Sequence, residues 1–177
     1  MREMKKFSAY EIALSALSSA IATIFLTVGI YSEILLFTGY LFACVALMLP
    51  LAKQSWAGYA LAYLSTCLLT LIFGSFRFWE LLPFIMFFGL HPLVNELQLK
   101  TKINRWLACF LKALWFDGTV YLAWKVVFAI TTSIPFIDTY ILPIIFVGGT
   151  LFFVLYDYLA YRWRDLVNAL VKRVGKK

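Results

Sequence analysis

Residues Tyr10 to Gly29 read YEIALSALSSAIATIFLTVG, with Glu11 as the one charged side chain among 20 residues. As a helix this stretch is about 30 Å long at 1.5 Å per residue. That length matches the hydrocarbon core of a bilayer. Five more apolar runs follow: Ile34–Leu51, Ala57–Phe73, Leu81–Val94, Trp106–Ile130 and Ile141–Tyr161. A spanning strand alternates polar and apolar residues, and these runs are continuous. The fold class expected is therefore all-α: a polytopic membrane protein built as a bundle of six transmembrane helices.

Composition agrees. Of 177 residues, 63% are hydrophobic and 14% are charged. Soluble domains average about 45–50% apolar and about 25% charged. A disordered chain needs low hydrophobicity and high net charge, which this sequence lacks. Six crossings use most of the length, so the expectation is one transmembrane domain over residues 1–177 and no separate water-soluble domain. The stretch Arg162 to Val174 carries Leu166, Leu170 and Val174 at four-residue spacing among basic residues. It reads as a basic amphipathic segment, about residues 162–177, lying on a charged surface. Ser18-Ser19-Ala20 faintly matches a signal-peptide cleavage site. The apolar run continues past it to Ile30, so a retained first span is expected.

Lys and Arg set the orientation. Arg2, Lys5, Lys6, Lys53, Lys100, Lys102, Arg105, Arg162, Arg164, Lys172, Arg173, Lys176 and Lys177 fall on one side of the six-span arrangement. Arg77 and Lys125 fall on the other, and Lys112 lies within the fifth run. By the positive-inside rule both termini are cytoplasmic, in the cell membrane. The net charge of +7 is thus a topology signal rather than a nucleic-acid footprint.

Ionisable groups inside a bilayer are costly and mark candidate sites. Asp117 lies about 18 Å into the fifth run from Arg105, near the midplane, and Lys112 about 10 Å in. Asp157 lies about 24 Å from Ile141 on the sixth run, so Lys112 and Asp157 are placed to pair. Asp117 has Thr119, Tyr121 or a neighbouring helix as hydrogen-bond partner, or it binds a ligand. At the outer side, Tyr31, Glu33, Arg77, Trp79, Glu80, Trp124, Lys125, Asp138 and Tyr140 combine rings with opposed charges. Rings bury the body of a small amphipathic ligand and charges hold its ends. The same set also reads as an interfacial aromatic belt with snorkelling charges.

Enzymatic readings find little support. His91, the one histidine, stands in Leu90-His91-Pro92 near the inner end of the fourth run; it has no metal-binding motif around it and reads as a helix-end or packed residue. Cys44, Cys67 and Cys109 are far apart and read as packed thiols. Tyr156-Asp157 resembles one motif of intramembrane aspartyl proteases, but the companion Gly-x-Gly-Asp is missing and Asp117 lies at another depth. A P-loop is absent as well, so no ATP hydrolysis is expected from this chain. No cofactor and no catalytic activity are expected.

In the first run, Ala9 and Ala13 stand four apart, as do Ala16 and Ala20, with Ser15, Ser19 and Ala22 beside them. Small-xxx-small spacing lets another helix approach closely. With Lys5-Lys6 ahead of this alanine-rich helix and six spans in under 200 residues, the chain resembles the substrate-binding S components of energy-coupling factor (ECF) vitamin transporters. The resemblance implies uptake of a vitamin or similar micronutrient. Its implied partners are a transmembrane coupling subunit and two ATPase subunits. It implies docking through Ala9, Ala13, Ala16 and Ala20, a gate over Thr27 to Glu33, and a site lined by Arg77 to Glu80 with Lys125. The alternative is a structural or scaffolding six-span protein, with a layout like that of the cell-shape protein MreD.

Overall fold

Ser8 opens the first helix with a capping box: its hydroxyl accepts from the Glu11 amide at 3.1 Å, and its own amide donates to the Glu11 carboxylate at 2.9 Å. These two bonds satisfy amides that the first helical turn leaves unpaired. From there α1 runs Ala9–Tyr31. In this computed structural model, residues 8–101, 103–125 and 140–174 are described. Further helical segments are α2 (Leu36–Leu51), α3 (Trp56–Phe73), α4 (Phe78–Thr101), α5 (Arg105–Ala123) and α6 (Tyr140–Val174). Among the described residues there is no strand.

Four of these, α1, α3, α4 and α6, are long and apolar enough to cross a membrane. The α2 segment is apolar but has 16 residues, and α5 carries Lys112 and Asp117. The surface is apolar too. Leu61, Leu64, Leu68 and Ile72 form a stripe along α3, each more than half exposed, while Ser18, Ser19 and Thr66 are buried. Leucine outside and serine inside is an arrangement that suits a lipid surround, where small polar residues hold helices together.

The α1 helix is the hub of the amino-terminal half. Its buried face holds Ser15, Ser18, Ser19, Ala22, Thr23 and Gly29. Ser18 Oγ donates to the Ala46 carbonyl at 2.8 Å, and the Ser65 hydroxyl donates to Ser19 Oγ at 2.9 Å. At the crossing with α2, a Cβ on Gly39 would lie 2.7 Å from the Phe25 carbonyl oxygen and 3.4 Å from Gly29 Cα. Backbone meets backbone there, and glycine alone allows it.

Both α4 and α6 contain a π-helical turn, Phe84–Phe88 and Ile144–Gly149. Each follows a proline, Pro83 or Pro143. A proline lacks the amide hydrogen and crowds the carbonyl four residues back, so the hydrogen-bond ladder slips. The α4 turn feeds Phe84, Phe87 and Phe88 into an aromatic centre shared with Phe116 of α5 and Phe153 and Tyr156 of α6.

Several segment boundaries differ from the sequence reading. The break expected at Glu96 to Asn104 is helical as far as Thr101. Polar residues there find partners on α6: Glu96 takes an ion pair from Arg164, and Gln98 Oε1 accepts from the Tyr161 hydroxyl at 2.9 Å. The carboxy-terminal basic stretch continues α6 without a break. Val167 and Val171 face the core and Leu166, Leu170 and Val174 are exposed. The expected gate, Thr27 to Glu33, is helix through Tyr31, and a single 3-10 turn, Glu33–Leu35, leads into α2. Residues 126–130 of the fifth run, and Asp138, lie outside the described residues.

Candidate functional site

The candidates expected at the outer side meet where α1 and α3 end and α4 begins. The Tyr31 hydroxyl donates to the Phe73 carbonyl at 2.9 Å and lies 3.0 Å from Ser75 Oγ. Arg77 Nη1 donates to the Ile30 carbonyl at 3.1 Å and reaches Glu80 Oε1 at 3.3 Å. Tyr40 donates its hydroxyl proton to the Glu80 carbonyl, and Glu80 Oε2 is buried without a hydrogen-bond partner. Ser75 and Phe76, in the turn between α3 and α4, have φ of 56° and 58°. That left-handed backbone costs about 1–3 kcal/mol per residue, and the Tyr31 and Arg77 bonds hold the turn in place. Trp79 is half-exposed, with Phe78 edge-on at 5.6 Å. Lys125 is exposed at the end of α5, and Glu33 lies in the short turn before α2. Tyr31, Arg77 and Glu80 are thus brought together. Neither Asp117 nor Lys125 is bonded to them.

A second grouping sits deep between α4, α5 and α6. Lys112 Nζ donates to Asp157 Oδ1 at 2.6 Å and to Asn95 Oδ1 at 2.8 Å. The expected Lys112–Asp157 pair is therefore present. His91 joins it, which the sequence reading missed: its Nε2 lies 3.0 Å from the same Asp157 oxygen. A carboxylate accepts, so Nε2 carries the proton and Nδ1 is left buried without a partner. His91 is fully buried, and the Tyr156 ring lies 4.8 Å away. The Tyr161 ring lies 5.3 Å from Lys112 Nζ.

Asp117 belongs to neither grouping. It accepts a 2.7 Å bond from Thr150 Oγ1 on α6, so the neighbouring helix supplies its partner. The two buried aspartates have separate partners and do not form a dyad. Among the described residues, no group of three or more His, Cys, Asp or Glu is placed to hold a metal ion.

The alanines of α1 lie apart from all of this. Ala9, Ala13, Ala16 and Ala20 are exposed, while the serines between them are buried. Beside Ala20 a groove of about 490 Å³ runs between α1 and α3, lined by Thr23, Ile24, Thr27, Val28, Leu69 and Phe73. The Thr23 and Thr27 hydroxyls are buried there without partners.

Comparisons complete the picture. The chain matches no family model, no curated protein and no solved structure. Chemically, the outer set presents a guanidinium, a carboxylate and rings at one end of the bundle. The inner set is closed on itself, with its charges paired among its own members.

Proposed function

We propose that the chain is the membrane-embedded substrate-binding subunit of an energy-coupling factor transporter, without catalysis of its own. It crosses the cell membrane six times with both termini cytoplasmic. It captures a vitamin or similar micronutrient at the outer ends of α1, α3, α4 and α5, through Tyr31, Glu33, Arg77, Trp79, Glu80 and Lys125. Asp117 stands deeper, on the α5–α6 contact. A transmembrane coupling subunit and two ATPase subunits supply the energy.

The bare alanine face of α1 carries this reading. A helix whose serines are buried and whose alanines are exposed presents a smooth outer strip. In lipid, association depends on close packing rather than on apolarity, so such a strip suits another helix. Purification from the native host, followed by mass spectrometry, tests the proposal. A bound small molecule and co-purified ATPase subunits are the expected result. Absence of both would refute it.

The filled centre favours a second reading, a structural scaffold. Phe84, Phe87, Phe153 and Tyr156 are almost fully buried in the middle of the bundle. Tyr31 and Arg77 also spend hydrogen bonds on neighbouring backbone. A scaffold would purify without small molecule or ATPase and would instead carry other membrane proteins with it.

A further inference from the structure

Asp117 is 1% exposed, and one of its oxygens has no partner. Thr150 Oγ1 donates to Oδ2, while Oδ1 is buried without a hydrogen bond. The space over Oδ1 exists because position 149 is glycine: a Cβ there would lie 2.8 Å from that oxygen. Gly149 closes the π-turn of α6, and Thr150 follows it directly. On the other side, Phe116 packs on Phe87 and Phe88 of the α4 π-turn. At this level α5 is therefore packed between the two helices whose ladders slip, with Phe116 toward α4 and Asp117 toward α6.

The charged and titratable groups on the surrounding elements are committed elsewhere or exposed. On α5, Lys112 is held by Asp157 and Asn95, and Lys125 is exposed; Tyr121 lies one turn further along. On α6, Asp157 is held by Lys112 and His91, and Tyr140 is exposed. On α4, Glu80 pairs with Arg77, and His91 with Asp157. Among the described residues none of these is bonded to Asp117.

A carboxylate buried in apolar surroundings with one hydroxyl donor is poorly compensated. A metal ion needs a shell of several oxygens, and the described set offers two carboxyl oxygens and one hydroxyl. A proton needs only the free oxygen. We propose that Asp117 is a reversible proton-binding site coupled to the α5–α6 contact. Oδ1 holds the proton while Gly149 and Thr150 close over it. When α6 draws away, the proton passes from Oδ1 to water and the negative charge stays on the carboxylate. This inference goes beyond the transport reading and does not depend on it.

Dicyclohexylcarbodiimide tests it on the unaltered full chain in detergent micelles. This apolar reagent adds to protonated carboxyls in membrane interiors, and peptide mass spectrometry locates the adduct. The expected result is an adduct on Asp117 at neutral pH that declines as pH rises. Asp157, ionised against Lys112, stays unmodified and serves as the internal control. Thr150→Val removes the hydroxyl that donates to Oδ2, so modification extends to higher pH than in the unaltered chain. An Asp117 left unmodified at neutral and mildly acidic pH overturns the proposal. So does modification that is independent of pH, or no greater than that of Asp157.

Discussion

Lys112 and Asp157 form an ion pair in which both side chains are almost entirely buried. Replacing Lys112 with Met keeps most of the length of the side chain and removes its charge. The carboxylate then keeps His91 as its one remaining partner, and Asn95 loses its donor. Breaking a buried pair from one side costs about 3–5 kcal/mol, because the surviving charge stays buried. Asp157→Asn should cost a similar amount, leaving the Lys112 ammonium with neutral partners. In a domain of this size each kcal/mol moves Tm by about 2–4 °C, so each single variant should lose roughly 6–20 °C. The double variant carries neither charge and should lose less than the sum of the two, by about 1–3 kcal/mol. A thiol-reactive dye that fluoresces on coupling provides the assay, since Cys44 is fully buried in the native fold and reacts on unfolding. Losses below 2 °C in both single variants, or strict additivity in the double, would refute the claim that this pair holds α5 to α6.

The remaining predictions address other contacts. Gly39→Ala drives a Cβ onto the Phe25 carbonyl and should cost about 1–3 kcal/mol. Gly118→Ala, with nothing within 4 Å of the added carbon, should be neutral or mildly stabilising in the same thermal assay. Ala16→Trp and Ala20→Trp lie on the exposed strip, so both should fold normally yet abolish co-purification of ATPase subunits. Retained assembly in both would exclude that face as the contact. Single cysteines introduced at Lys53 and at Phe76 should react from opposite sides of the membrane with an impermeant maleimide. Reaction of both from one side would contradict the proposed six-span topology.

Depth along apolar runs made the Lys112–Asp157 pair legible, because at 1.5 Å per residue both fall in the same third of the expected span. The same arithmetic held the signal for His91, which lies at the inner end of its run. A lone histidine beside a proline instead suggested helix-end packing, and the turn of α4 that aims it at Asp157 arises from a ladder slip that hydrophobic periodicity does not register. Boundaries failed where polar residues found distant partners. Glu96 and Gln98 looked like loop residues, since Arg164 and Tyr161 are more than sixty residues away in the chain. The alanine pattern was visible, but its orientation was not: serines and alanines are equally small, and only packing against α2 and α3 decides which of them turns inward.

The α6 helix spans 35 residues, about 50 Å at 1.5 Å per residue, against a hydrocarbon thickness of about 30 Å. It is long enough to serve as a lever as well as a span. From Thr150 to Val174 the arm is about 36 Å long, so a tilt of 5° displaces one end by about 3 Å relative to the other. That displacement exceeds the whole 2.7 Å separation between Thr150 and Asp117. A small push on the basic tip would be felt at Thr150 through the rod itself, against the restraint of the Glu96–Arg164 and Lys112–Asp157 pairs that tie α6 to α4 and α5.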